Sequence, residues 1–289
     1  MCTDWGERAE YLAKSRTVWF NDDYLQMLVD SVWRVDRAVK VADFGCGTGF
    51  LREALMPHFP AGSSYTGYDA SAKLLEAARE KAGDGAQFIC CDLLETEIAP
   101  QYDVVVCQAL LMHIPGPERM LRRMIDAAAP GGLVVCMEPN WNVTNASMYV
   151  DGIDADGRNL GLLAKLWSAE RARSGKDVLV GTKVPAMMRR LGLRQVGVRM
   201  NDCTHLADPA GDPEEYRRQR EALRADNFCG DPGEEEAFVA GLLARGLTEE
   251  EARLQYQCER ELHAQIAAHG EDFFMLVHPG LLISFGRKA

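Results

Sequence analysis

Several features are scarce or missing in this 289-residue sequence, and each absence narrows the reading. Positive charge is outnumbered: 32 basic residues face 43 acidic ones, for a formal net charge of −11. Long-range attraction to nucleic-acid phosphates or anionic membranes is therefore not its main device. Basic pairs such as Arg122-Arg123 and Arg217-Arg218 fall in predicted helices and read as solvated faces. No apolar run approaches the length of a membrane span. The stretch Met1–Arg16 is charged throughout, without the apolar centre of a secretion signal. The nine cysteines are odd in number and never spaced C-x-x-C; Cys90-Cys91 is merely adjacent. They suit reduced, small hydrophobes of a cytoplasmic protein, with neither a disulfide framework nor a metal knuckle. There is no internal repeat and no low-complexity segment.

What the sequence does have is organised around Val41-Ala42-Asp43-Phe44-Gly45-Cys46-Gly47-Thr48-Gly49-Phe50. Lys40–Phe44 is short and apolar, the composition of a central parallel strand. Three glycines at alternate positions then allow a sharp turn that keeps side chains away from a ligand. Phe50–Leu55 opens a helix whose free amides face that turn. A dinucleotide fingerprint would read G-x-G-x-x-G, and its last glycine is Phe50 here, which counts against a nicotinamide or flavin cofactor.

Strand and helix then alternate. Predicted strands cover 64–68, 87–91, 102–107 and 132–137, with helices over 71–81 and 115–129 between them. Alternation of this kind implies right-handed crossovers and a parallel sheet covered on both faces. Upstream, two helices are expected over 5–15 and 22–34. Downstream come helices over 160–173 and 184–191 and a sixth strand over 195–200. A largely helical insertion follows, and an apolar strand over 280–286 closes the chain. Thr248-Glu249-Glu250-Glu251 has capping-box spacing at the start of a helix reaching about Ala268.

On that scheme the acidic residues gain positions. Asp69 ends the second strand and Asp92 follows the third, both at the carboxyl edge where open α/β sheets bind ligands. A carboxylate after the second strand can accept both hydroxyls of a ribose. A polar residue after the third can accept an exocyclic adenine amine. Asp43 lies under the turn, placed to orient its amides or to reach an amino group through water. Any one of these alone could be a helix cap or a loop residue.

Asp43-Phe44-Gly45-Cys46-Gly47-Thr48-Gly49, Tyr68-Asp69, Cys91-Asp92-Leu93, Tyr102–Val106 and Ala129-Pro130-Gly131-Gly132-Leu133 together resemble the class I S-adenosylmethionine-dependent methyltransferases. The resemblance covers about residues 38–140, and is nearest to enzymes acting on small molecules such as quinone precursors. It implies a Rossmann-like, seven-stranded, doubly wound sheet of order 3-2-1-4-5-7-6 with the last strand antiparallel. By the same resemblance, the backbones of Gly45, Cys46 and Gly47 would wrap the methionine part of the cofactor. Asp69 would hold the ribose, Asp92 and Leu93 the adenine, and Gln108 would lie near the transferring methyl group. S-adenosylhomocysteine would be the product and a small molecule the acceptor. The place after strand four reads Cys107-Gln108-Ala109-Leu110, unlike the motif of nucleic-acid adenine methyltransferases.

His113, after strand four, and Glu138, after strand five, are the candidate catalytic groups. His113 is the better base by its ordinary pKa; equally, it could order the loop before Pro115, and Glu138 could cap the loop after it. Arg16, Trp19, Tyr24, Asn140 and Trp141 are candidate lid or substrate contacts. No metal is expected; His205, His278 and Cys203 offer too few ligands for one. The expected organisation is an N-terminal helical lid (1–38), a cofactor-binding core (39–140) and an insertion (141–181). A core helix and strand (182–202), a helical substrate cap (203–279) and the final core strand (280–289) complete it. Two other classes stay open: a non-catalytic cofactor-binding partner of another chain, and a nicotinamide oxidoreductase.

Overall fold

A computed structural model describes residues 19–82, 85–153, 159–225, 230–270 and 272–289. The expected first helix and Arg16 fall outside them. The chain divides into two compact units. The first comprises residues 1–139, 180–202 and 281–289, the second 140–179 and 203–280.

The first unit is built on a seven-stranded sheet of order β3-β2-β1-β4-β5-β10-β7. Its strands are β1 (Lys40–Phe44), β2 (Ser64–Asp69), β3 (Ala86–Cys90), β4 (Tyr102–Gln108), β5 (Ala128–Pro139), β7 (Arg194–Met200) and β10 (Leu281–Arg287). Counted within this sheet, β7 is the sixth strand and β10 the seventh, so the order is the expected 3-2-1-4-5-7-6. β10 runs antiparallel to both β5 and β7. Composition follows position. The central strands are buried along nearly their whole length, and so read as continuous apolar runs. The edge strands β3 and β7 are mostly exposed and carry polar or basic residues.

Helices α2 (Phe50–Leu55), α3 (Ala72–Ala82), α4 (Pro117–Ala127) and α7 (Val184–Arg190) join or flank these strands. α4 starts with a proline in its first turn and buries Met120, Leu121, Met124 and Ile125, one face of a 3.6-residue period. The expected 22–34 helix is α-helical only over α1 (Asp22–Met27). It continues through Leu28–Trp33 as a wider π-type turn closed by Arg34 at φ +55°. Neither glycine nor proline marks that change, so the apolar pattern alone did not show it.

The second unit contains α5 (Trp141–Ala146), β6 (Tyr149–Val150), α6 (Leu160–Ser174) and β8 (His205–Ala207). It continues with α8 (Pro213–Ala225), α9 (Glu235–Ala244), α10 (Glu249–Ala268) and β9 (Met275–Val277). The insertion was expected to be helical, but β6, β9 and β8 form a three-stranded antiparallel sheet. Each of these strands is too short to show a two-residue period, and the partners lie far apart in sequence. Met148, Val150, Tyr216, Leu262 and Val277 pack one core around this sheet. Leu166, Val239, Leu242 and Tyr256 form a second core among α6, α9 and α10. No helix among the described residues is long and apolar enough to cross a membrane.

The capping box of α10 is formed: Glu251 N donates to Thr248 Oγ1 at 3.3 Å, and Thr248 N donates to Glu251 Oε2 at 2.9 Å. Thr248→Ala is expected to destabilise the protein by about 1 kcal/mol, read as a lowered denaturation midpoint in urea.

Candidate cofactor and catalytic site

Parallel pairing of β1 with β2, of β2 with β3 and of β1 with β4 brings their carboxyl ends to one edge. The turn after β1 uses its glycines as left-handed corners: Gly45, Gly47 and Gly49 have φ of +72°, +53° and +82°. A Cβ on Gly45 would come within 2.8 Å of Leu110 Cδ1, so that position is closed to larger residues for two reasons.

The loop amides are engaged within the protein. Gly45 N and Cys46 N both donate to Tyr68 O, at 2.8 and 3.0 Å, and Gly49 N donates to Cys46 O. Gly47 N donates to Asp69 Oδ2 at 2.9 Å, while Ser71 N donates to Asp69 Oδ1 at 2.8 Å. What the turn presents is thus bare backbone beside a carboxylate, rather than a row of free amides. Asp69 is half-buried and keeps acceptor capacity beyond its two amide bonds.

Asp43, only 1% exposed, accepts a hydrogen bond from Tyr65 Oη at 2.6 Å. Burial, reinforced by Asp43, pushes the Tyr65 phenol well above its ordinary range, so it remains a donor. Burial likewise pushes the Cys46 thiol up, with the Asp43 and Asp69 carboxylates adding to the effect. Cys46 is therefore a thiol rather than a nucleophilic thiolate. A cavity of about 30 Å³ opens between Asp43, Gly45–Thr48, Phe50, Leu51 and Gln108. Gln108 is buried, and its Nε2 has no hydrogen-bond partner among the described residues. A buried amide left unsatisfied at a turn of this kind fits a ligand that supplies the missing acceptor.

After β3, the Asp92 carboxylate accepts from Leu94 N at 2.8 Å, leaving Asp92 exposed and Leu93 buried beneath it. A larger cavity in the same unit, about 620 Å³, is lined by Thr96–Pro100, Asp126 and Lys288 near the amino ends of β4 and β5. It contains none of the candidate residues, and its cations are spent on carbonyls. Lys288 Nζ donates to Ala128 O, and the Arg123 guanidinium to Leu94 O.

β4 ends in a sharp corner. Gln108 is followed by Ala109 at φ +49°, a left-handed alanine whose amide donates to Met137 O. Such backbone is sparsely populated and survives only where its surroundings dictate it. Glu138 supplies much of that constraint. It is fully buried; Oε1 accepts Leu110 N at 3.0 Å and Leu111 N at 2.8 Å, and Oε2 accepts Met112 N at 3.3 Å. Burial pushes its carboxyl up to about 7, partly offset by those three amides. The short turn Leu111–His113 that it holds ends in half-buried His113.

Of the remaining candidates among the described residues, two belong to the first unit and two to the second. Trp19 is buried and its carbonyl accepts from Asn201 Nδ2; Tyr24 Oη donates to Met200 O. Both are thus tied to the end of β7, separated from β1 by β4, β5 and β10. Asn140 caps α5, its Oδ1 accepting Asn142 N and Val143 N. Trp141 begins that helix and lines a cavity of the second unit. In that unit His278 Nδ1 meets Thr204 Oγ1 at 3.3 Å, and His205 Nε2 meets Cys203 Sγ at 3.7 Å. No group of three or more metal-ligating side chains occurs among the described residues. Sequence reasoning had no signal for the Ala109 corner, the Tyr65–Asp43 bond or the anchoring role of Glu138.

Residues 41–132 match the model of a methyltransferase domain family. The chain is 36% identical over 165 residues to a ubiquinone biosynthesis O-methyltransferase of Bordetella avium (strain 197N), covering 55% of this chain and 64% of that protein. It is also 36% identical over 96 residues to the protein of the same name from Coxiella burnetii (strain Dugway 5J108-111), covering 32% of this chain and 40% of that one. The chain thus spans only part of the length of the curated relatives it matches. Among solved structures, phosphoethanolamine N-methyltransferase 2 of Haemonchus contortus, in complex with S-adenosyl-L-methionine, superposes with a TM-score of 0.52 at 14% identity. That superposition covers 100% of this chain and 60% of the other, and is a likeness of fold. With the glycine turn, the acid after β2 and the strand order already in place, residues 41–132 match a methyltransferase domain family, on a sheet whose strand order is the one expected of the class I S-adenosylmethionine-dependent enzymes.

Proposed function

We propose that this chain transfers a methyl group from S-adenosylmethionine to a small-molecule acceptor, as a cytoplasmic enzyme. The observation that carries the reading is the Asp69 carboxylate, joined to Gly47 of the glycine turn and set at the carboxyl edge of the sheet. Such a carboxylate, with acceptor capacity to spare, is suited to a ribose diol.

In this reading Asp92 accepts from the adenine amine and Leu93 packs against the ring. Gln108 gives its unpartnered Nε2 to the ligand, and Asp43 holds the floor of the turn through Tyr65. When bound, the cofactor supplies a sulfonium methyl carbon; the acceptor's electron pair forms the new bond as the carbon–sulfur pair returns to sulfur. The chain's task is then mainly to hold donor and acceptor in line. His113 takes the proton where the acceptor atom must lose one. In this reading Glu138 is a positioning residue, its three amide bonds anchoring the turn that carries His113.

Incubation with methyl-labelled S-adenosylmethionine and a panel of phenol, amine and thiol acceptors tests this. Label should pass to one class, and His113→Ala should lower kcat about a hundredfold at unchanged cofactor affinity, if that class requires deprotonation. An unaltered kcat on a phenolic acceptor would remove His113 from the mechanism. Failure to label any acceptor would count against the activity.

A further inference from the structure

A second cavity, about 470 Å³, lies wholly within the second unit. That is within the range of small-molecule sites. Its walls are apolar and aromatic: Trp141, Leu163, Leu166, Phe238 and Leu242. The polar groups that line it are not equivalent. Arg245 is paired with Glu170 at 2.9 Å, and Asn145 Nδ2 donates to Trp141 O at 2.7 Å. Gln255 is 1% exposed; its Nε2 donates to Glu259 Oε1 at 2.9 Å, and its Oε1 has no hydrogen-bond partner among the described residues.

The orientation of that amide is fixed by its neighbour. Only the nitrogen can donate to the Glu259 carboxylate, so the oxygen is the atom left bare. A buried acceptor without a donor is costly and calls for a ligand or a water. Charge sets the kind of ligand. The Arg245 cation is already neutralised, whereas no cation pairs with Glu259 among the described residues. An anion entering this cavity would therefore meet an uncompensated carboxylate. A cation would meet that carboxylate, a bare amide oxygen one helical turn away, and aromatic faces that favour positive charge.

We propose that this cavity binds an organic amine in its ammonium form. The N–H groups go to Gln255 Oε1 and Glu259, and the apolar body lies against Trp141, Phe238 and Leu166. The pocket stands independently of methyl transfer; treating its amine as the methyl acceptor rests on that reading.

The test uses the full chain and three probes of similar size: 2-phenylethylamine, 2-phenylethanol and phenylacetate, titrated by calorimetry and by saturation-transfer NMR. The amine should bind at least tenfold tighter than the alcohol, and phenylacetate should bind weakest. Glu259→Gln should remove the preference of amine over alcohol. Gly241 lines the cavity, and a Cβ added there meets nothing within 4 Å. Gly241→Leu should therefore narrow the space and weaken amine binding by about tenfold or more. The helix should tolerate it, since leucine favours helix more than glycine does, and an unchanged or raised Tm verifies that.

Phenylacetate binding as tightly as the amine would overturn the proposal, as would amine binding unchanged by Gly241→Leu. Transfer of labelled methyl from S-adenosylmethionine to the amine is scored separately. Amine binding without transfer supports the pocket and bears only against the amine's being the methyl acceptor, whereas no amine binding overturns the pocket whatever the transfer assay gives.

Discussion

Asp69→Ala is expected to weaken binding of S-adenosylhomocysteine by about a hundredfold or more. Two hydroxyls bonded to one ionised acceptor contribute on the order of 1.5–3 kcal/mol each, and alanine removes both. The same substitution releases Gly47 N and Ser71 N, so the turn loses its tie to β2. Asp69→Asn separates the two effects. It keeps an oxygen for one of the amides but loses the charge and presents an NH₂ group, so its loss should fall between wild type and alanine. Calorimetry gives the affinities, and thermal melts confirm that each variant is folded. An alanine variant that binds as tightly as wild type would remove Asp69 from the cofactor site.

Glu138→Gln should destabilise the fold by about 2–4 kcal/mol, because an amide NH₂ replaces an acceptor facing backbone N–H groups in a dry site. The size of that gap should depend on pH. Burial raises the Glu138 carboxyl from 4.5 to about 7 in the folded protein. An acid raised on folding holds its proton longer when folded. Its stabilising contribution is complete below 4.5 and is lost as pH rises through about 7. Wild type should therefore lose up to about 3 kcal/mol of its advantage over the variant across that window, at about 1.4 kcal/mol per pKa unit. Urea denaturation at pH 5 and pH 8 measures this. A gap of equal size at both values would show that Glu138 is not raised. Because Glu138 holds the turn bearing His113, the variant should also lose kcat on any acceptor that needs a base, while keeping cofactor affinity.

Those two residues differ in how far the sequence revealed them. Asp69 was legible because its context is local: a short apolar strand, an acid at its end and a glycine turn at a fixed distance upstream. Each component of that pattern is a short run that can be read by itself. The role of Glu138 depends on a contact between two strands. Gln108 pairs with Met137 in the β4–β5 register, which brings the next residue of β5 beside the Ala109 corner. Sequence placed both Glu138 and His113 at the right edge, but offered no sign that one would be consumed in supporting the other's turn. The same distinction separates the main sheet from the small one. Seven strands alternating with helices announce themselves by period and by resemblance, whereas β6, β8 and β9 have two or three residues each and pair across long intervals. The loop amides are a further case. Glycine spacing foretold the turn, but not that Tyr68 and Asp69 would take its donors.

If the β1 turn and Asp69 form a site for the S-adenosyl group, calorimetric titration of the wild-type chain with S-adenosylhomocysteine and, separately, with NADH should tell the two ligands apart. One-site binding of S-adenosylhomocysteine at micromolar affinity is expected, with no heat from NADH. Binding of NADH in its place, or no binding of S-adenosylhomocysteine to demonstrably folded protein, would contradict that assignment.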